Sequence, residues 1–197
     1  MVSVPPEVQR RLVHSLGALV PLGWAVGIYD WRAVQGLWVF GLVVAMALEA
    51  GRLLGGLESW VYDRLTREYE QENLAGYALY TVSMTLVALA VSAGLGVTEG
   101  VAAASMLMLA IGDPVSGLLG SDELQSVKRT YVLLVMFGTC TLLAVPFVPS
   151  WLAAAAGGAA ATLADGVKPV VAGYVVDDNL TIPPAAATAM TVVLAVV

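Results

Sequence analysis

The chain has 197 residues, of which 59% are hydrophobic and only 12% are charged, with a mean hydropathy of +0.83 and a formal net charge of -6. Soluble domains usually carry about 25% charged residues, so most of this chain is not solvated by water. Nine Lys and Arg stand against fifteen Asp and Glu, whereas nucleic-acid binding needs clustered cations. With a single cysteine as well, the composition excludes a soluble enzyme, a nucleic-acid-binding module and a disulfide-bonded scaffold.

Long stretches without Asp, Glu, Lys or Arg predict helices that cross a membrane, because such a helix needs about 20 mostly apolar residues. The uncharged run 130–164 must hold two of them, since Pro146 and Pro149 interrupt it. We therefore predict an all-α, polytopic membrane protein with about seven transmembrane helices, forming a single domain over residues 1–197. The predicted helices are 12–29, 33–54, 74–94, 97–119, 130–148, 150–167 and 181–197.

The distribution of cations predicts the orientation in the membrane. No small-residue cleavage site precedes Asp30, so we expect the first apolar stretch to be a retained span and not a signal peptide. If the N-terminus is cytoplasmic, the opposite side holds only Arg32. The cytoplasmic side then holds the other eight cations, Arg10, Arg11, Arg52, Arg64, Arg67, Lys128, Arg129 and Lys168. This excess predicts a multi-pass protein of the cell membrane with a cytoplasmic N-terminus.

The longest polar loop, residues 55–73, predicts an amphipathic helix lying on the membrane surface. Its apolar residues recur at i+4 spacing, as Leu57, Val61, Leu65 and Tyr69. The only histidine and the only cysteine, His14 and Cys140, lie in apolar stretches. We expect His14 to be a packing or interfacial side chain and Cys140 to be a small buried one.

Five charged residues fall in or beside predicted spans near their cytoplasmic ends: Glu49, Arg52, Asp113, Asp165 and Lys168. A charge inside a span costs about 2.5–3.5 kcal/mol, so each needs a partner, an aqueous cavity or a function. Glu49 and Arg52 are three residues apart and share one helix face. They form either an ion pair at the interface or a pair that faces a polar cavity.

The segment around Asp113 predicts a helix that is broken near the cytoplasmic face. Pro114 leaves a carbonyl one turn earlier without a donor, and Gly112 permits a close backbone approach. Broken helices are tolerated where they line a cavity, and exposed N–H groups there bind anions. A carboxylate beside such an anion needs a divalent cation between them, as in Mg²⁺-nucleotide sites. The alternative is a packing kink with a capping Asp.

Two further polar clusters flank the later spans. Lys128 and Arg129 either set the topology or neutralise a transferring phosphate. Asp177, Asp178 and Asn179 precede the last span and either offer oxygen ligands to Mg²⁺ or cap the helix.

Over nearly its whole length the chain resembles the membrane-embedded lipid kinases that include dolichol kinase, phytol kinase and the CTP-dependent diacylglycerol kinases. The most specific match, with Asp165 upstream, is Asp177-Asp178-Asn179-Leu180-Thr181-Ile182-Pro183. The segment similar to the family's nucleotide motif is Gly112-Asp113 followed by Ser116 and Gly120. The stretch that completes that motif is similar to Lys128-Arg129-Thr130-Tyr131. Weaker matches are Glu49 with Arg52, and residues 72–77.

The resemblance implies a phosphotransferase that moves a phosphoryl group from CTP, with Mg²⁺, to a membrane lipid alcohol of the polyprenol, dolichol or glycerolipid type at the cytoplasmic face. Its implied partners are the nucleotide, the lipid and the bilayer. The implied catalytic residues are Asp113, Lys128, Arg129, Asp178 and Glu49. The implied nucleotide-binding residues are Gly112, Ser116, Gly117, Gly120, Thr130 and Asn179. The implied metal ligands are Asp113, Asp165, Asp177 and Asp178.

Two other functions stay open at this point. A lipid cytidylyltransferase has the same low-charge multispan form, but the chain lacks the terminal Ser, Lys-Arg and Lys-Asp pattern of those enzymes. A non-catalytic lipid-binding or transport homologue is favoured by one difference from the kinases. The family's last nucleotide stretch continues with Glu-Gly, where this chain has Val132 and Leu133.

Overall fold

A computed structural model describes residues 6–55, 73–120, 128–167, 170–171 and 174–197. The prediction of an all-helical chain is confirmed, apart from a two-stranded antiparallel ribbon of β1 (Val170–Val171) and β2 (Tyr174–Val175). In chain order the helical elements are α1 (Pro6–Leu16), α2 (Leu19–Ala25), α3 (Trp31–Gly55), α4 (Gly76–Ala90), α5 (Glu99–Leu107), a π-helical turn (Met108–Gly112), α6 (Asp113–Leu119), α7 (Thr130–Ala144), α8 (Trp151–Gly166) and α9 (Asp178–Val196).

Three helical stretches in the described ranges are long and apolar enough to cross a membrane. They are Trp31–Leu54, Glu99–Leu119 and Asp178–Val196. The helices Gly76–Ala90 and Thr130–Ala144 are apolar but shorter. At about 1.5 Å per residue, such helices are shorter than the roughly 30 Å of a bilayer core. The predicted surface helix lies almost entirely outside the described residues, as do Lys168 and residues 121–127.

The prediction of one helix over 12–29 is wrong, because the structure has α1 and α2 with a turn between them. Pro21 has no N–H with which to bond the carbonyl of Gly17, four residues earlier. The N–H of Val20 donates to that carbonyl instead, at 3.3 Å, which tightens the turn. Gly17 also packs against the ring of Tyr80, where a methyl group would come 2.8 Å from Cζ. The helix of the first apolar stretch is therefore interrupted at Gly17 and Ala18.

Helices α3 and α4 form an antiparallel hairpin. At one end the indole N–H of Trp31 donates to the carbonyl of Ala88 at 3.1 Å. At the other end the N–H of Ala75, the residue before α4, donates to the carboxylate of Glu49 at 3.1 Å. Glu49 and Arg52 therefore lie at the end of α3 that meets the start of α4.

Helices α7, α8 and α9 follow one another in an antiparallel arrangement. The backbone N–H of Lys128, just before α7, donates to the carbonyl of Gly166 at the end of α8, at 3.3 Å. The β1–β2 ribbon then returns the chain, so that α9 starts at the end where α8 finishes. The last turn of α8, which carries Asp165, thus lies beside the first turn of α9, which carries Asp178.

The helix Glu99–Leu119 runs through the centre of the assembly, and every residue from Val101 to Leu107 is buried. The predicted break at Gly112 is not present. The helix instead widens there into a π-helical turn. There the N–H of Asp113 donates to the carbonyl of Met108, five residues earlier. Pro114 follows and offers no N–H of its own. π-Helical turns of this kind occur frequently at functional sites.

Candidate functional site

The carboxylates of Asp113, Asp165 and Asp178 converge at one end of the helical assembly. One carboxylate oxygen from each lies within 4.8 Å of those of the other two. The three residues come from the start of α6, the end of α8 and the start of α9. Asp165 and Asp178 are buried, whereas Asp113 is partly exposed. We call these three residues the carboxylate cluster.

The fourth residue predicted as a metal ligand, Asp177, has another set of contacts. Its Oδ1 accepts hydrogen bonds from the backbone N–H of Asn179 at 2.9 Å and from Asn179 Nδ2 at 2.6 Å. Asp177 is the N-cap of α9 and does not belong to the carboxylate cluster. The side-chain arrangement thus separates two adjacent aspartates that sequence alone treats as equivalent.

Asn179 is the residue that follows Asp178 in the chain. It is buried, and its Oδ1 has no hydrogen-bond partner within the described ranges. Buried polar atoms usually have a hydrogen-bond partner, so this oxygen is suited to contact with a bound ligand. Carboxylate and amide oxygens are the metal ligands that Mg²⁺ prefers. Asp113, Asp165, Asp178 and Asn179 therefore have the chemistry to hold a divalent cation.

Lys128 and Ser116 both bind the buried carboxylate of Asp165. Lys128 Nζ lies 2.6 Å from Asp165 Oδ1 and 3.0 Å from Ser116 Oγ. The Ser116 hydroxyl donates to Asp165 Oδ2 at 2.7 Å. Asp165 has no exposed surface, and a buried charge without a partner is destabilising. The ammonium of Lys128 therefore offsets the charge of this carboxylate.

His14 contributes to the same region from α1. Its Nε2 lies 3.1 Å from the carbonyl oxygen of Leu109 and 3.8 Å from Asp113 Oδ2. In a regular α-helix the N–H of Asp113 would donate to Leu109, but here it donates to Met108. With π-helical spacing the donor to the Leu109 carbonyl would be residue 114, but Pro114 has no N–H. The imidazole therefore supplies the donor that the backbone lacks, which assigns the proton to Nε2.

The prediction that His14 is a packing side chain is confirmed, but it is incomplete. The ring makes an edge-on contact with Tyr80, with ring centroids 4.5 Å apart. Its approach to Asp113 was missed, since a lone histidine in an apolar stretch matches no motif. Pro114 offered one indication, because it leaves a carbonyl in need of a side-chain donor.

Glu49 and Arg52 form the ion pair that one of the two predictions described. Arg52 Nε and Nη2 donate to the two carboxylate oxygens of Glu49 at 3.0 and 2.7 Å. Those oxygens also accept hydrogen bonds from the hydroxyl of Tyr77 and the N–H of Ala75. Arg52 further donates to the carbonyl of Asn73 at 2.5 Å. The contacts of Glu49 thus connect α3 to α4, and Glu49 does not belong to the carboxylate cluster.

The other residues predicted to bind the nucleotide differ in their positions and contacts. Gly112 packs against α7, where a methyl group would come 2.7 Å from Cys140 Sγ. Gly120 caps the end of α6 with its N–H on the carbonyl of Ser116. Arg129 and Thr130 are exposed at the start of α7. Cys140 is fully buried, which confirms its predicted packing role.

No protein-family model, curated protein or solved structure matches the chain.

Proposed function

We propose that the chain is a seven-span, CTP-dependent kinase of the cell membrane, which phosphorylates the hydroxyl of a polyprenol, dolichol-type or glycerolipid alcohol. The observation that carries this proposal is the convergence of Asp113, Asp165 and Asp178 within 4.8 Å at the ends of apolar helices. Carboxylates in such helices are costly and mark functional sites. Three of them at one place are the arrangement that a Mg²⁺-nucleotide needs.

The positions of the cations support a cytoplasmic N-terminus and a cytoplasmic site. Lys128 contacts Asp165 directly, and Arg11 lies beside Gly117 in the helix that begins with Asp113. Arg32 lies at the start of α3, at the opposite end from Glu49. The side that is rich in Lys and Arg is usually the cytoplasmic one, where CTP is available.

The clustered residues fit a divalent cation. Asp113, Asp165 and Asp178, with Asn179 Oδ1, would hold Mg²⁺, which when bound neutralises charge on the triphosphate. Lys128 orients Asp165 through its 2.6 Å contact and adds positive charge next to the phosphates. Arg129, exposed at the start of α7, provides a second cation on that side.

In the proposed reaction the lipid hydroxyl oxygen forms a bond to the γ-phosphorus of CTP. The bond from that phosphorus to the oxygen bridging the β-phosphate breaks, and its electron pair leaves with CDP. The hydroxyl proton passes to a carboxylate of the cluster and from there to water. Glu49 is less suited to accept it, because both of its oxygens are already held by Arg52, Tyr77 and Ala75.

A groove between α4 and α9 supports the proposal that the acceptor is a lipid. It is open, measures about 630 Å³ and lies within one helical turn of the carboxylate cluster, since Thr181 follows Asp178 by three residues. Its lining is mostly apolar and consists of Leu86, Leu180, Thr181, Pro184, Ala185, Thr188 and Ala189. The groove is shallow, and its apolar side chains suit contact with the hydrocarbon chain of a lipid. A prenyl or acyl chain in the groove would direct its hydroxyl end toward Asp178.

The test is a transfer assay with the purified protein, Mg²⁺ and CTP labelled separately at the α and γ phosphates. Acceptors are a polyprenol, a phytol-type alcohol, a diacylglycerol and a diether glycerol, each with CTP and with ATP as donor. We expect only the γ label to reach a lipid. Transfer of the α label would indicate a cytidylyltransferase. The absence of transfer in every combination would favour the non-catalytic alternative.

Variants of the cluster complete this test. Asp113→Asn and Asp178→Asn should each abolish transfer while the protein still folds, because each removes one charged oxygen ligand. Asp30→Asn is the matched control, since Asp30 is exposed at the opposite end of the assembly. Full activity in both cluster variants would overturn the metal site.

A further inference from the structure

Two consecutive prolines, Pro183 and Pro184, lie inside α9, just after its first turn. Proline has no N–H, so neither residue can donate to the carbonyl four residues earlier in the helix. The carbonyls concerned are those of Asn179 and Leu180, in the first turn of α9. The turn that carries Asp178 therefore lacks two of the regular backbone hydrogen bonds that would hold it to the rest of the helix.

Ser83, on α4, supplies a donor to the first of these carbonyls. Its hydroxyl lies 2.5 Å from the carbonyl oxygen of Asn179. The hydroxyl also lies 3.0 Å from the carbonyl oxygen of Tyr80, the contact within its own helix that a serine commonly makes. A hydroxyl has one proton, and the shorter distance favours Asn179. Ser83 has no exposed surface, so bulk water does not reach this contact.

The backbone of Asn179 connects Ser83 to the carboxylate of Asp178. The N–H of Asn179 donates to Asp178 Oδ1 at 3.1 Å, and it also donates to Asp177 Oδ1 at 2.9 Å. Asp178 in turn belongs to the carboxylate cluster. Asn179 is thus fixed at both of its backbone groups, with its carbonyl on Ser83 and its N–H on the two aspartates. A movement of the Asn179 carbonyl away from α4 would move the carboxylate of Asp178 with it.

We propose that Ser83 is a positioning residue, which holds the first turn of α9 so that Asp178 meets the other carboxylates of the cluster around a divalent cation. This inference rests on the proposed function for the cation, and on the hydrogen bonds of Asn179 for the role of Ser83. Ser83 acts through Asn179 and is not itself a metal ligand. A serine that only filled space between α4 and α9 would affect stability and leave metal affinity unchanged.

The test measures binding of Mn²⁺, as a paramagnetic substitute for Mg²⁺, to the full chain in detergent by electron paramagnetic resonance. The Mn²⁺ bound by the cluster is the part that Asp178→Asn abolishes. Ser83→Ala should weaken this binding about tenfold, the effect of losing a group that orients a metal ligand. Ser105→Ala is the matched control, because Ser105 is also fully buried and its hydroxyl donates within its own helix, to Ala102 at 2.8 Å. It should bind Mn²⁺ as the unaltered protein does.

Pro183→Ala tests the hydrogen bond itself, because alanine restores the N–H that a regular helix directs to the Asn179 carbonyl. With that donor present, the hydroxyl of Ser83 becomes dispensable. Ser83→Ala should therefore change Mn²⁺ affinity by less than about twofold in the Pro183→Ala background, against about tenfold in the unaltered chain. A loss of the same size in both backgrounds overturns the role of the Ser83 hydroxyl.

Thermal unfolding of each variant controls for misfolding. If Ser83→Ala does not fold, the double variant with Pro183→Ala provides the test. A double variant that folds and binds Mn²⁺ as Pro183→Ala does supports the hydrogen bond to the Asn179 carbonyl. A double variant that fails to fold, where Pro183→Ala alone folds, shows that Ser83 acts by packing and overturns the proposal.

The outcomes separate this inference from the kinase proposal. Mn²⁺ binding that depends on Ser83, without any lipid phosphorylation, supports the positioning role and rejects the kinase. Lipid phosphorylation, with equal Mn²⁺ affinity in Ser83→Ala and the unaltered protein, overturns the role of Ser83 and leaves the kinase in place. No Mn²⁺ binding by the unaltered protein overturns the inference as well.

Discussion

The ammonium of Lys128 lies 2.6 Å from a carboxylate oxygen of Asp165, a residue with no exposed surface. Removing one partner of a buried pair leaves the other charge without compensation. We predict that Lys128→Met lowers the free energy of unfolding by about 3 kcal/mol, at the low end for buried pairs because the lysine is partly exposed. Thermal and denaturant unfolding in detergent measures this loss.

Two further variants test whether the charge of the pair is responsible. Lys128→Arg keeps the charge and should lose less stability than Lys128→Met. The double variant Lys128→Met with Asp165→Asn removes both charges and should be more stable than Lys128→Met alone. If Lys128→Met unfolds at the same temperature as the unaltered protein, the pair does not stabilise the fold.

His14 provides the second prediction. His14→Leu removes the donor to the Leu109 carbonyl, which neither Asp113 nor Pro114 can replace. We expect a loss of about 1–3 kcal/mol in the free energy of unfolding, the cost of an unsatisfied buried acceptor. His14→Gln keeps a side-chain N–H and should lose less. Equal losses in the two variants would contradict the hydrogen-bond explanation.

Much of the fold and part of the site were predictable from local sequence. Long uncharged stretches predicted helices inside the membrane, because apolar side chains are more stable away from water. When consecutive helices cross the membrane in alternating directions, the end of one and the start of the next lie on the same side. Asp113, Asp165 and Asp178 lie at such ends and were therefore expected on one side of the membrane. The turn at Gly17 was also within reach, since Pro21 removes the backbone donor that a continuous helix needs.

Other parts of the site depend on packing between distant segments. His14 and Leu109 are 95 residues apart in the chain, and no periodicity predicts that α1 meets the π-helical turn. The same holds for Arg11, whose place beside Gly117 follows from that packing. Asp177 shows a different limit, because only the N-cap geometry distinguishes it from its neighbour in sequence.

A third prediction concerns the ion pair of Glu49 and Arg52. Because Glu49 is buried and bonded to Arg52, Tyr77 and Ala75, we expect it to stabilise the α3–α4 hairpin and not to take part in transfer. Glu49→Gln should lower the free energy of unfolding by about 3 kcal/mol, and Tyr77→Phe by about 1.5 kcal/mol. Unfolding curves give these values, and kcat per folded molecule should stay the same. A large fall in kcat in folded Glu49→Gln would assign it a catalytic role instead.

The groove between α4 and α9 provides the last prediction, which tests where the lipid binds. Thr188 lines the groove and is exposed, so Thr188→Trp would fill it without entering the core. If the acyl or prenyl chain lies there, kcat/KM for the lipid should fall about tenfold while KM for CTP stays unchanged.

The matched control for this variant is Val192→Trp. Val192 is exposed on the same face of α9, one turn beyond Thr188, and does not line the groove. A tryptophan there adds the same bulk and the same apolar surface to the membrane-facing side of the helix. Equal lipid kinetics in Thr188→Trp and Val192→Trp would place the acceptor outside the groove. A selective loss in Thr188→Trp would connect the groove to the carboxylate cluster, because only a lipid lying between α4 and α9 would meet the new side chain.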